Sequence, residues 1–305
     1  MIPALSVVIV SYRSRAALER CVVSLAECRA NLPLEVVVVD NASGDGTVEW
    51  LGSAWPWVTV VANPDNAGFT RAANQGVGLA RARRVLLLNP DCEVGAVALR
   101  WLVAALDTDE RLAAVAPALL DGEGVVARSC GRFPDLWTLF CDHLGLARRF
   151  PGSRLFGGYK YGGLPPGALH TVGWASGAAL LVRRSAWERV GGLDERIFMY
   201  MEEVDWCRRA WRAGYRVRFV PEARIVHVGQ QSARQAAEAS YLHNLRSRVY
   251  YFGKHHGAPA ALAAKAILAL SLALKWCVTA PWRARRPAAS VYRAGLGAVW
   301  GAAWR

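Results

Sequence analysis

LEVVVVDNASGDGT occupies residues 34–47. Four consecutive valines ended by Asp40 read as a buried strand, and the NASGDG cluster after it as a turn able to cap a following helix. The pattern extends in both directions. LSVVIVSY (5–12) is another β-branched apolar run, and AALERCVVSLAEC (16–28) has helical spacing. WVTVVAN (57–63) and RRVLLLNPD (83–91) supply a third and fourth strand, with AGFTRAANQGVGLA (67–80) a loop and helix between them. Continuous apolar strands separated by helices predict an α/β fold with a mostly parallel central sheet flanked by helices. Ligands of such sheets bind beyond the carboxyl ends of the strands, where Asp40 and Asp91 both stand.

The chain of 305 residues, 53% hydrophobic and 20% charged, can bury a sizeable core and is not a disordered sequence. Seven cysteines without a CxxC pair read as reduced thiols of a cytosolic protein. MIPALSVVIVSYRS reads as a first strand, so no signal peptide is expected. The net charge of +13 is uneven: beyond Glu238 come ten Lys and Arg and no acid. This divides the chain into residues 1–238 and a helical, basic and apolar tail, 239–305, that needs an anionic partner or surface. The uncharged core of the tail, AILALSLAL, is too short to span a bilayer. Lys265, Lys275 and Arg283 fall in one quadrant of a helical wheel opposite an apolar arc, which predicts a helix lying on a membrane over anionic headgroups. The other reading is a helix packed on the catalytic domain or on a second copy of the chain as a homodimer. Nucleic acid is not the expected partner, since these lysines flank apolar residues rather than an aromatic stacking platform.

Residues 121–170 read as long loops with short elements. From 171 the pattern sharpens: SGAALLVRR is a strand, VDWCRRAWRAG (204–214) a helix closed by Gly214, and YRVRFVPEARIVHVG two short strands. Between them FMYMEEVDWC (198–207) sets Glu202, Glu203 and Asp205 among aromatics. Asp205 faces Arg208 and Arg209 at i+3 and i+4, a salt-bridge or helix-dipole position. Asp40 can accept hydrogen bonds from a nucleobase or ribose, or cap its own turn. Asp91, projecting from a turn stiffened by Pro90, suits Mg²⁺ or Mn²⁺ bridging a diphosphate, though an ordinary turn looks the same.

SVVIVSY, VVVVDNASGDGT, NPDNAGFTRAANQG, LLLNPDCEV, GWASGAALLVRRSAWERVGGLDE, FMYMEEVDWCRRAWRAGYRV and IVHVG follow the order and spacing of family-2 inverting glycosyltransferases, which the chain resembles over residues 4–235. LLLNPD and VDNAS look most like the rhamnosyltransferase branch, whose usual donor is dTDP-L-rhamnose. The resemblance implies a GT-A fold, with a Rossmann-like nucleotide-binding half and an acceptor-binding half. It implies transfer of a sugar from a nucleotide-sugar donor to a glycan or polyprenyl-linked acceptor, and the basic, apolar tail places the protein at the inner face of the cell membrane. By the same resemblance Asp40 contacts the donor base, Arg71 faces the donor diphosphate, and Asp91 and His227 hold the metal. Glu203 is the general base, with Glu202 the other candidate; otherwise Glu202 assists acceptor binding or is structural, and Trp174 is placed on the acceptor side. Arg13 stands where the family usually has Asn, and Glu202-Glu203 where it has Glu-Asp. These departures also allow a degenerate scaffold that binds nucleotide-sugar without turnover.

Overall fold

The computed structural model describes residues 3–153, 155–157, 159–160, 170–229, 237–281 and 286–303. They form two compact units. The first takes the described residues up to Gly131, between Gly163 and Phe198, and between Glu202 and Gln235; the second takes those of Arg132–Gly162, Met199–Met201 and Ala236 onward.

The first unit is built on a nine-stranded sheet. Its parallel side runs β3 (Val58–Ala62), β2 (Leu34–Asp40), β1 (Leu5–Ser11), β4 (Arg84–Leu88). The connections are α1 (Arg15–Arg29), α2 (Thr47–Ala54) and α3 (Gly68–Leu79), as the alternating pattern predicts. Successive valines serve opposite faces. Val7, Ile9, Val36 and Val38 pack with Leu18, Val22 and Leu25 of α1 and with Leu99 and Leu102 of α4 (Ala96–Asp107). Val8 and Val39 instead face α3. A Cβ on Gly76 would stand 2.4 Å from Val8, so glycine there lets α3 lie directly on the sheet.

Beyond β4 the order continues β10 (Ala179–Arg183), β6 (Leu112–Leu120), β11 (Arg216–His227), β5 (Cys92–Glu93), with β8 (His170–Val172) also paired to β11. β10 is antiparallel to both its neighbours, and β11 is parallel to β6 but antiparallel to β5 and β8. β7 (Cys130–Gly131) and β9 (Trp174–Ala175) make a separate two-stranded ribbon. β11 replaces the two short strands expected around Pro221. The proline, which lacks an N–H to donate, falls where the register with β6 slips between Val220 and Arg224, so one strand continues past it. After α7 (Arg184–Val190), α8 (Glu202–Arg212) begins two residues before Val204 and draws Glu202 and Glu203 into its first turn.

The second unit is helical: α5 (Leu136–His143), α6 (Leu146–Arg149), α9 (Ala237–His256), α10 (Ala258–Thr279) and α11 (Arg286–Trp300). Leu245, Val249, Tyr251 and Phe252 of α9 and Ala261, Ala264, Leu268 and Leu272 of α10 are buried. Lys265 is buried too, its Nζ donating to Trp300 O at 2.9 Å. It therefore does not share an outward quadrant with Lys275; it caps a carbonyl of the last turn of α11, which has no partner within its own helix. Arg283 lies outside the described residues. The outward face of α10 is apolar, with Leu262, Leu270, Leu274, Trp276 and Val278 exposed. With 22 residues, α10 is long and apolar enough to cross a membrane by length and composition, which revises the expectation drawn from its uncharged core alone.

Candidate active site

The site is assembled by a short antiparallel pairing. After β4 the chain turns through Asn89-Pro90-Asp91, fixed by Asn89 N donating to Ala178 O (2.8 Å) and Cys92 N to Asn89 O (3.2 Å). Cys92 then pairs opposite His227 and Glu93 opposite Val226, and Val228 N donates to Asp91 O at 3.2 Å. The consequence is that Asp91 Oδ1 and His227 Nε2, 136 positions apart in the chain, stand 3.1 Å from each other. Ligand atoms of Asp91, Cys92 and His227 all lie within 4.8 Å of one another. Cys92 is a poor third ligand. Its Sγ donates to Ala178 O (3.3 Å), and burial, with Cys21 and Asp91 beside it, pushes the thiol well above its ordinary value. A carboxylate and an imidazole at the open edge of a strand pair suit Mn²⁺ or Mg²⁺, with phosphate and water oxygens completing the shell.

The acid-rich stretch divides by role. Tyr200 and Met201, ahead of α8, have φ of 65° and 69°, a left-handed pair of non-glycine residues that store strain at the helix entrance. Asp205 is fully buried and bonded to Arg209 Nε at 2.8 Å, the i+4 partner expected from sequence. The same guanidinium donates to Val190 O (2.9 Å), Gly191 O (3.2 Å) and Gly192 O (2.6 Å). Trp206, also fully buried, donates Nε1 to Gly191 O (3.0 Å) and packs on Trp187 with ring centres 5.4 Å apart. Asp205 and Trp206 therefore fasten α8 to the 190–192 segment, and Glu202 and Glu203 are the acids of its first turn that this anchorage does not use. Glu202 is buried, and its carboxyl is raised well above the usual range by that burial, with the charges of Glu203 and Asp205 adding to it. Glu203 is half-buried, its Cβ 3.6 Å from where a Cβ on Gly177 would stand. Gly177 thus meets Glu203, while the adjacent Ala178 holds Asn89 and Cys92. One loop touches both Glu203 and the Asn89–Cys92 turn.

At the end of β2, Asp40 is buried and takes one bond from Ser43 on each oxygen: Oδ1 accepts from Oγ (2.5 Å) and Oδ2 from N (3.0 Å). Arg13 N donates to that same hydroxyl. Here the turn-cap reading is what the geometry displays. Arg71 is exposed on α3 and makes no ion pair among the described residues, so it is not drawn to Asp91 or His227. Its helix is anchored by Phe69 N donating to Phe198 O (2.9 Å), and a Cβ on Gly68 (φ +82°) would meet the Phe198 ring at 2.7 Å. Trp174 is buried on β9 opposite Gly131, not presented at a surface.

An amide network was not foreseen. Asn63 Nδ2 donates to Asn41 Oδ1 (2.8 Å) and Gln75 Oε1 (2.9 Å), and Asn41 Nδ2 to Gly68 O (3.0 Å). Asn74 exchanges two 2.9 Å bonds with the backbone of Leu193. The sequence signal was the recurrence of amides in DNAS, NPDNAG and ANQG, which tie the loops after β2 and β3 to α3.

Residues 6–151 match the model of glycosyl transferase family 2, and residues 167–289 that of glycosyl transferase family group 2. The chain is 31% identical over 269 residues to the N-acetylglucosaminyl-diphospho-decaprenol L-rhamnosyltransferase of Mycobacterium tuberculosis, covering 84% of this chain and 87% of that protein. The chain belongs to glycosyltransferase family 2. This glycosyltransferase is also 28% identical over 216 residues to the low-salt glycan biosynthesis hexosyltransferase Agl10 of Haloferax volcanii, covering 70% of this chain and 63% of that protein. Its GT-A fold is shared with the Pyrobaculum calidifontis mannosyltransferase solved with GDP-Man and Mn²⁺ (TM-score 0.55, 19% identity, 98% of this chain and 86% of that one). It is shared as well with GalNAc-T7 solved with UDP, GalNAc and Mn²⁺ (TM-score 0.59, 17% identity, 85% and 52%).

The buried Glu202 yields a pH signature. A carboxyl whose folded pKa is raised binds its proton more tightly in the folded state, so its contribution is most favourable below the unfolded value and is lost as pH rises toward the folded one. Glu202→Gln removes that loss. Thermal melts should show the variant more stable than wild type at pH 7.5, with the gap closing toward pH 4. A gap independent of pH would contradict the assignment.

Proposed function

We propose that this glycosyltransferase is an inverting, divalent-metal-dependent enzyme that moves L-rhamnose from dTDP-L-rhamnose onto a hydroxyl of a lipid-linked or cell-wall glycan. The observation that carries the reading is the Asp91–His227 pair, joined through the Gly177–Ala178 loop to Glu203. The choice of sugar and acceptor is supported by the mycobacterial relative, and metal dependence by the Mn²⁺ in the two solved relatives.

In this reading Asp40 accepts from the donor base, and the Arg71 fork holds diphosphate oxygens. Asp91 and His227 would hold Mg²⁺ or Mn²⁺, whose charge stabilises the departing nucleoside diphosphate. Glu203 takes the acceptor hydroxyl proton as that oxygen bonds to the anomeric carbon and the carbon–oxygen bond to the diphosphate breaks on the opposite face, inverting the centre. Glu202 lies deeper than Glu203, and burial raises its proton affinity, which supports the more accessible Glu203 as the base. Trp174, buried on β9 three residues before Gly177, is kept on the acceptor side. The acid-free tail and the apolar outer face of α10 support a cytoplasmic protein held at the inner face of the membrane.

Release of dTDP from dTDP-rhamnose with Mn²⁺ and a prenyl-diphosphate-linked N-acetylglucosamine acceptor tests the chemistry. Asp91→Ala and Glu203→Gln should each lower kcat by about a hundredfold or more with unchanged melting temperature. Equal rates would overturn the roles, and wild-type donor binding without turnover would establish the scaffold reading instead. For the membrane claim, full-length protein should float with phosphatidylglycerol vesicles, and a Leu270→Asp, Val278→Asp variant should not. Equal flotation of the two would remove α10 from membrane contact.

A further inference from the structure

The helical unit contains a cavity of about 410 Å³ that the reaction above does not use. One wall is the α5–α6 segment, with His143 and Arg148; the other is the last turns of α10, with Ser271, Leu274, Lys275 and Val278. The walls are joined by Ser271 Oγ donating to His143 O at 2.8 Å, which fixes the cavity's shape. Its charge is unbalanced. Arg148 and Lys275 make no ion pair among the described residues. Asp142, also on the wall, answers a different cation: Arg248, whose charge acts on it and whose Nη1 is buried without a hydrogen-bond partner among the described residues. Burial and the neighbouring Arg148 both lower the proton affinity of Lys275, the signature of two cations sharing a partly dry space. His143 is held to about 3 by burial and by Arg248 and Lys275, so it adds a neutral ring and no competing charge at neutral pH.

The opposite side of the cavity is apolar. Leu274 and Val278, one turn apart, line it and are also half or more exposed, at 50% and 62%. They continue into the outward face of α10 with Leu270 and Leu262. Cations inside and an apolar track leading out describe the two ends of an anionic amphiphile.

We propose that this cavity binds the phosphate head of a prenyl lipid, Arg148 and Lys275 taking phosphate oxygens and Leu274 and Val278 seating the first isoprene units. Resting on the reading above, the lipid is of the class that carries the acceptor. The arrangement also explains why Lys275 stays on the protein side of a helix whose outer face carries no charge. A phospholipid headgroup shares the phosphate chemistry but not the slender, unsaturated chain, and the test separates the two.

Calorimetric titration of the full-length protein in EDTA without nucleotide, with farnesyl diphosphate as probe, reads this site apart from the catalytic one. Farnesyl diphosphate should bind at least about tenfold more tightly than inorganic diphosphate, farnesol or dioctanoyl-phosphatidylglycerol. Arg148→Gln, at an exposed position safe for folding, and Lys275→Gln should each weaken it about tenfold. Arg293→Gln, an exposed tail arginine outside the cavity, should leave it unchanged. Binding unaffected by both cavity variants, or matched by inorganic diphosphate, overturns the site, and equal binding of phosphatidylglycerol overturns its assignment to a prenyl lipid. If instead the catalytic reading is wrong, dTDP-rhamnose turnover fails while farnesyl diphosphate binding and its sensitivity to the two variants persist.

Discussion

A two-residue strand, Cys92–Glu93, pairs with Val226 and His227, and the site depends on that pairing. It places a carboxylate from the first third of the chain against an imidazole from the last third, at 3.1 Å. A register slip of one residue would turn His227 to the other face of the sheet. The slip already present in β11, at Pro221, shows that the strand tolerates irregularity, but between Arg224 and Val226 the pairing with β6 is regular again. Asn89, Ala178 and Val228 brace the turn on three sides, so the position of Asp91 rests on backbone bonds more than on its own side chain.

The acid stretch shows how one short segment can serve structure and chemistry together. Asp205 and Trp206 are committed inward, the first to an arginine that closes three backbone carbonyls and the second to a tryptophan stack. With that anchorage, α8 can begin on two left-handed residues and carry a buried carboxyl in its first turn, costs a loosely held helix would relax away. The helix N-terminus offsets part of the charge there. Two adjacent glutamates thus end at different depths, Glu202 buried and Glu203 half-buried.

Much of this was legible beforehand, and the limits have physical causes. The strands of the parallel side announced themselves because each is buried on both faces and so reads as an unbroken apolar run. Asp205–Arg209 was legible because i,i+4 geometry is local. The Asp91–His227 contact was reached by resemblance alone, since no local rule joins residues so far apart. Lys265 was misplaced because a helical wheel shows direction but not neighbours; only the carbonyl of Trp300 explains why a lysine turns inward. The single strand through Pro221 was missed because a proline is a stop signal until a register slip accommodates it. The amide network could not be weighed, because Asn and Gln at loop ends look the same whether they cap a turn or bind across it.

The central claim is that Asp91 and His227, held together by the β5–β11 pairing, form one divalent-ion site for the donor diphosphate. Pulsed electron paramagnetic resonance of Mn²⁺ bound with dTDP addresses it directly, since a ligating imidazole leaves a nitrogen modulation on the manganese signal. That modulation should be present in wild type and lost in His227→Ala, and Asp91→Ala should weaken Mn²⁺ binding itself. A nitrogen signal that persists in His227→Ala, or Mn²⁺ affinity unchanged in Asp91→Ala, would contradict the account.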